Sequence, residues 1–368
     1  MRKLNKTLTC TMLAAAMAAG TLTGCSSALD GTKIVATVGD EEVTLGLASY
    51  VTRDQQAQMM SYYSMLMSSY GVEGSGMSIW DEVGEDGKSV GDSSKDDAMN
   101  TINELYVMKA HAADYDVTIT EEEEAAIKEA AAAFIEANDA ETLKELAVSE
   151  ADIVTYLELV TYRQKMEEPM VADVDQEVSD DVANQTRVNI VKVSTKGTET
   201  DEDGNTIELT DEEKAEKKEL AQKVLDKLKA SENPAEADME ALAKEVDENL
   251  SYTKPLFTTA GNEEDTLDQA VQEAALKLKD GEVADEVVEG EDAYYVVRLE
   301  SMFDEEATES KISLIISERK NDLHDEILEG WVEAEKIKVN ESVWKKLKVT
   351  DSVVFQYKAA ETTEESAE

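Results

Sequence analysis

Near the C-terminus, Ile312, Ile316, Leu323, Ile327 and Trp331 recur at steps that fit one face of a long amphipathic helix. That stripe constrains the fold, because the α+β segment before it offers no partner for its apolar side. The opening of the chain is also mainly helical. From Asp97 onward, Ala98, Ile102, Leu105, Met108, Ala112 and Tyr115 recur at steps of three or four. Val117-Thr118-Ile119-Thr120 breaks that helix. Thr120, with Glu123 three residues on, then reads as a capping box. Ile127, Ala131 and Phe134 mark the buried side of the helix it starts. Ile153, Leu157 and Val160 mark a further helix, with Pro169 just beyond it.

Ahead of these helices, Ile34–Val38 reads as a strand, Gly39-Asp40 as a turn, and Val43-Thr44 as a return to extended chain. A helix follows in which Met59, Met60, Met65 and Met67 interleave with Tyr62, Tyr63 and Tyr70. Residues from about Gly71 to Ser94 form a polar loop anchored only by Ile79 and Trp80.

After Pro169 the pattern changes. Thr186–Val193 alternates as a strand, and Thr198–Ile207 is a polar excursion with a turn at Asp203-Gly204-Asn205. Helices are expected over about 211–230, 237–246 and 267–278, with Pro255 in the loop between the second and third. Gly281-Glu282-Val283 turns into a strand, and Ala293–Leu299 forms the last strand. A strand, three helices and two strands make one compact α+β domain.

The first residues carry a different message. Arg2, Lys3 and Lys6 precede an apolar run, Cys10 to Ala19, too short to span a bilayer as a mature helix. Leu22-Thr23-Gly24-Cys25 then matches the cleavage box of bacterial lipoproteins, in which the cysteine takes diacylglycerol and becomes the new N-terminus. The alternative is an ordinary secretory signal that ends near a cysteine. Cleavage would leave Cys25 as the one cysteine, already lipidated, so no disulfide could form and a hydrophobic core must suffice. At 368 residues and 42% apolar composition the chain can build one, across two domains. The leader holds three basic residues and no acid, so the net charge of -48 becomes -51 without it. Such a surface repels nucleic acid and anionic headgroups, which leaves membrane attachment to the two acyl chains.

Three stretches together resemble extracytoplasmic foldase lipoproteins of the PrsA/SurA type. Val35–Thr44 is similar to the family's opening hairpin. Ala112–Glu123 is similar to its helix, break and capped helix. Ala274–Val283, with Val224–Ala230 before it, looks like the parvulin segment that joins the last helix to the strand pair. The resemblance implies a helical chaperone domain made from both ends of the chain, with a parvulin-like peptidyl-prolyl isomerase domain inserted. The unpartnered C-terminal stripe agrees with that split. The expected divisions are a signal peptide over 1–24, a lipidated tether over 25–33 and the first part of the helical domain over 34–170. The parvulin-like domain covers 171–305, the completing helix 306–350 and an acidic tail 351–368. The resemblance also implies unfolded or nascent secreted polypeptides as partners, no cofactor, and a place on the outer face of the cytoplasmic membrane of a Gram-positive bacterium.

Parvulins rotate X-Pro bonds, whose uncatalysed barrier is about 18–20 kcal/mol. The family's cleft has an apolar proline pocket above two histidines on neighbouring strands. Carried onto this sequence, the first histidine falls on Asn189 and the second on Tyr295. The pocket Met and Phe fall near Leu267 and Val271, and a second Phe falls on Leu276. The two histidines of the chain, His111 and His324, lie outside this segment. A structural parvulin domain with little or no isomerase activity is therefore expected, in which Asn189 and Tyr295 could hydrogen-bond each other. The alternative is an active isomerase whose remodelled cleft works by binding a twisted peptide.

For client binding the expected residues are Met59, Met60, Tyr63, Met65 and Met67, because flexible, polarisable methionine accepts many apolar shapes. The competing reading makes them core, facing the C-terminal helix. Asp201, Asp203, Asn205 and Glu212 fall at calcium-loop positions, but Thr206 stands where that loop needs glycine, which favours a plain hairpin turn. His111 is expected to be a partly buried structural residue and His324 to sit on a solvated face, and neither has metal-ligand company at sequence spacing. A solute-binding lipoprotein is a third possibility, disfavoured because two α/β lobes would need more strands than the chain offers.

Overall fold

The computed structural model describes residues 29–69, 79–197, 209–261, 265–349 and 355. Cys25 and its leader, Tyr70, Asp201, Asp203, Asn205 and the acidic end of the tail lie outside them. The chain is α+β. It divides into two compact units, one formed by the described residues up to Asp173 and from Asp322 onward, the other by Val174–Asn321.

Strands β1 (Ile34–Val38) and β2 (Glu41–Thr44) form an antiparallel hairpin. Its two-residue loop places Gly39 at φ +55°, a conformation that glycine adopts without strain. Helix α1 (Leu45–Ser69) follows directly. Helix α2 (Val90–His111) starts seven residues before the apolar periodicity does, because Ser89 caps it by accepting from the Asp92 N–H. Gly91 sits where a Cβ would lie 2.3 Å from the Val349 carbonyl oxygen, so the chain near its C-terminus approaches there closely. A 3-10 turn, Ala112–Tyr115, ends at Asp116 in the left-handed region and reverses the chain.

The expected capping box opens α3 (Glu121–Ala137): Thr120 N–H donates to Glu123 Oε2 at 2.8 Å, and Glu123 N–H donates to the Thr120 hydroxyl. A short helix that periodicity did not reveal, α4 (Ala140–Leu146), inserts the fully buried Leu146. Helix α5 (Glu150–Met170) keeps Pro169 inside its last turn, not beyond it.

The second unit begins with α6 (Asp180–Ala183), β3 (Gln185–Ser194), α7 (Asp211–Ala230) and α8 (Met239–Val246). Around Pro255 the expected loop is two short strands, β4 (Ser251–Thr253) and β5 (Leu256–Thr258), which pair with successive parts of β3. Then come α9 (Gln269–Ala275), β6 (Val288–Glu289) and β7 (Ala293–Ser301). The sheet order is β4-β3-β7-β6, with β5 also on β3. Both faces are covered. Val191, Val193, Tyr294 and Val296 pack with α7 and α8 on one side, and Val188, Ile190, Tyr295, Val297 and Leu299 with α9 on the other.

Helix α10 (Glu305–Ala334) passes from the second unit into the first. Strand β8 (Lys338–Val339) adds to β1, giving the order β2-β1-β8, and α11 (Glu341–Trp344) follows. The C-terminal stripe is divided in its packing. Leu323, Ile327 and Trp331 pack against Met108, Val117, Met166 and Met170. Leu328, Trp331, Val339, Trp344 and Leu347 join the core of β1, α1 and α2. Ile312 and Ile316 are half-buried like the others but enter none of these cores, and Leu314 is exposed. The second half of the stripe is therefore the part that builds the first unit's cores.

Candidate functional site

Strand alternation decides which residues share the sheet face under α9. Val188 and Ile190 from β3 and Tyr295 and Val297 from β7 point there, together with Phe257, Val271 and Ala275 and, at the margin, Leu267. Asn189 points to the opposite face. It is buried beside α8, and its Oδ1 accepts from the Tyr252 hydroxyl at 2.6 Å. Its cross-strand neighbour is Arg298, whose Nη1 donates to the Pro234 and Ala237 carbonyls. Tyr295 instead pairs in register with Lys192. Asn189 and Tyr295 thus make no hydrogen bond with each other, being on different faces and three residue pairs apart. Because side chains alternate with period two, a placement one residue off changes the face; the β3 residues that do face α9 are Val188 and Ile190.

Of the five positions carried over from the parvulin cleft, the structure brings together Leu267, Val271 and Tyr295. Leu276 is exposed at 42% and lies outside that core. Tyr295 is the ionisable side chain within that core, and its phenol is raised above the ordinary value by burial, with Asp268 and Asp292 adding to the effect. Asp268 caps α9 through Ala270 N–H and also accepts from Glu291 N–H at 2.9 Å. At Gly290 a Cβ would fall 2.1 Å from Asp268 Oδ2 and 2.7 Å from the Tyr295 ring, so only glycine fits. A face of hydrocarbon side chains and one neutral phenol, covered by α9, offers no acid-base pair near neutral pH.

A second surface lies at the end of α1. The helix is buried from Leu45 to Asp54 and again at Gln56. Beyond Ala57 none of its side chains enters a core formed by the described residues. Tyr62 and Met65 are exposed at 63% and 66%, Leu66 is exposed, and Met59, Met60, Tyr63 and Met67 are half-buried. The reading of these methionines as core against the C-terminal helix is not what is observed, since that helix packs on α2 and α5. The helix persists past its buried half because Met, Leu, Gln and Ala favour helix intrinsically. Gln55–Val72 contains no charged residue, in a chain that is 32% charged.

The two histidines are structural in setting. The His111 ring stacks on Trp331 with centroids 4.3 Å apart and planes 8° from parallel, and its Nδ1 lies 2.9 Å from Asp114 Oδ2. Its place beside Trp331 was not readable from its alanine neighbours. His324 is half-buried next to Asp325, not fully solvated as expected, because the adjacent Leu323 anchors that turn of α10 in the core. Among the described residues no three His, Cys, Asp or Glu side chains are grouped to hold a metal ion, and no helix is long and apolar enough to cross a membrane. A cleft of about 270 Å³ in the first unit is lined by Glu104, Asp325, Leu328, Glu329 and Val332. Burial there raises the Glu104 carboxyl above its usual range.

No protein-family model matches this chain, and no curated protein does. Among solved structures it is similar to the foldase protein PrsA of Lactococcus lactis, at 12% identity, over 85% of this chain and 96% of that one, with a TM-score of 0.34. It is also similar to PrsA of Bacillus cereus, described as a peptidylprolyl isomerase, at 17% identity, over 86% and 96% of the two chains, with a TM-score of 0.29. PrsA of Bacillus anthracis, described in the same words, matches at 18% identity over 65% and 99%, with a TM-score of 0.22. At such TM-scores the likeness carries no residue roles across; the chain resembles PrsA structures over most of its length.

Proposed function

We propose that this protein is an extracytoplasmic chaperone of the foldase kind, lipid-anchored through Cys25, that holds unfolded secreted polypeptides on the exposed end of α1. The observation that carries the reading is the run from Met59 to Ser69, helical, uncharged, rich in Met and Tyr, and outside the described cores. Each large apolar side chain that a client covered there would contribute about 1.5–3 kcal/mol at most. Association costs about 4–15 kcal/mol, so a few such contacts give weak, reversible holding, as a chain that must be released to fold requires. The net charge of -51 that remains without the leader keeps the carrier from self-associating and repels nucleic acid.

The inserted unit is proposed as a structural module with little or no isomerase activity. Support comes from the face under α9, where Val188, Ile190 and a neutral Tyr295 stand and no histidine does. An active isomerase with a remodelled cleft is the second reading; of the carried-over positions Leu267 is half-buried and Leu276 exposed, which leaves an apolar margin beside the covered Val271 and Tyr295.

Replacing Met60, Met65 and Met67 together by Ser should weaken suppression of citrate synthase aggregation about tenfold while leaving the helical circular dichroism unchanged. Full protection by that folded variant would refute the client surface. Turnover of a proline-containing chromogenic tetrapeptide above background would refute the inactive reading of the inserted unit. Cys25→Ala should move the protein from the membrane fraction to the soluble one; retention on membranes would refute the anchor.

A further inference from the structure

Among the described residues the methionines differ in accessibility; Met302, half-buried, packs against the core of the second unit. Met99, Met108, Met166, Met170 and Met239 are buried in the cores at 4% exposure or less. Met59, Met60, Met65 and Met67 sit within nine residues on the end of α1, with Met65 at 66% and the other three half-buried. An oxidant arriving from solvent reaches those four sulfurs well before the five in the cores. None of the four belongs to a core that holds the first unit together, so their chemistry can change while the fold stands.

We propose that Met59, Met60, Met65 and Met67 form a reversible oxidation site that switches off client holding, with two-electron oxidants such as hydrogen peroxide as the reactant. This rests on the client-holding reading of the same helix end. In each event a thioether lone pair attacks one peroxide oxygen and the O–O bond breaks. The departing hydroxide takes up the proton left on the new S–O group, giving sulfoxide and water. Sulfur loses two electrons and the peroxide gains them. The product replaces a soft apolar side chain by a polar, chiral one. Four such changes within about two turns of the helix remove the surface to which apolar segments adhere. A thiol-driven sulfoxide reductase returns the thioether and releases the oxygen as water.

The test treats the full mature protein with hydrogen peroxide and follows each methionine by peptide mass mapping. Met65 is expected to oxidise first, then Met59, Met60 and Met67, all ahead of Met99, Met108, Met166, Met170 and Met239. At that stage aggregation suppression should fall about tenfold with an unchanged unfolding temperature, and sulfoxide reductase should restore it. A variant with all four residues replaced by Leu is compared with its own untreated activity, whatever that is, and should lose none of it on peroxide treatment. The inference is overturned if wild-type protein carrying four sulfoxides protects the client as well as before. It is equally overturned if the Leu variant loses as large a fraction of its activity as wild type does. The Met60, Met65 and Met67 to Ser variant separates the two levels. Impaired holding by that variant with no effect of oxidation sinks the oxidation site alone. Full holding by it sinks the client surface, and the oxidation site with it.

Discussion

Trp331 tests how the two ends of the chain are joined in the first unit. It stacks on His111 and makes an edge contact with Tyr115 at 6.0 Å, and it belongs to both the core beside β1 and α2 and the one lined by Met108 and Met166. Truncating a fully buried tryptophan costs about 3–5 kcal/mol. Trp331 is only half-buried, which removes a good part of that, while the two ring contacts add about 0.5–1.5 kcal/mol each. Trp331→Ala should therefore destabilise the first unit by about 2–3 kcal/mol, lowering its unfolding temperature by about 4–12 °C. Leu314→Ala, on the same helix but exposed and in no core, should stay within about 0.5 kcal/mol of wild type. With two units, a single transition is not assured, so the assay is hydrogen exchange resolved by peptide. Protection in β1 and α2 should fall in Trp331→Ala and not in Leu314→Ala. Equal losses in the two variants would refute the argument that the second half of α10, and not its first, closes the unit.

Other outcomes follow from single buried groups. Glu104, on α2, faces Arg163 on α5 and His324 and Asp325 on α10, yet burial dominates and its folded pKa lies above the unfolded value. Its ionised form thus disfavours the fold. That cost is absent below the unfolded pKa of about 4.3 and grows as pH rises through the folded value. Glu104→Gln should raise the urea midpoint at neutral pH and leave it unchanged near about pH 3; the reverse pattern would refute the sign. Tyr252→Phe removes the donor to buried Asn189 Oδ1 and should cost about 1–3 kcal/mol in denaturant unfolding. A neutral result would mean that Asn189 finds another partner.

The helices whose starts are written in side chains were legible. Thr120 with Glu123 announces α3 to the residue, because the cap and its reciprocal partner are local; α7 begins where expected, behind a box of the same kind at Thr210 and Glu213. The start of α2 was hidden, since Val90–Asp96 is mostly polar and is held by the Ser89 cap and by Val90 and Gly91 N–H groups donating to the Glu82 and Trp80 carbonyls, none of which periodicity shows. Strands β4 and β5 are three residues each on either side of a proline, too short for alternation to register. The face of Asn189 was not readable either. Both sides of β3 are covered by helices, so Val188, Ile190, Val191 and Val193 are all apolar and the pattern does not say which side is which. The exposure of the Met and Tyr run depended on where the C-terminal helix lies, which is a tertiary fact with no local signature.

The pairing of β8 with β1 joins Ala36 to Val339, about 300 residues later. A chain threaded across a membrane from its N-terminus would present the hairpin first and the strand that completes it almost last. Until then α1, α2 and α5 keep an open apolar seam, whereas the inserted unit, contiguous from Val174 to Asn321, can finish as soon as its own residues are out. Maturation of the first unit is in this way timed by the arrival of its own C-terminus, so a prematurely terminated product would carry a finished insert beside an unclosed first unit.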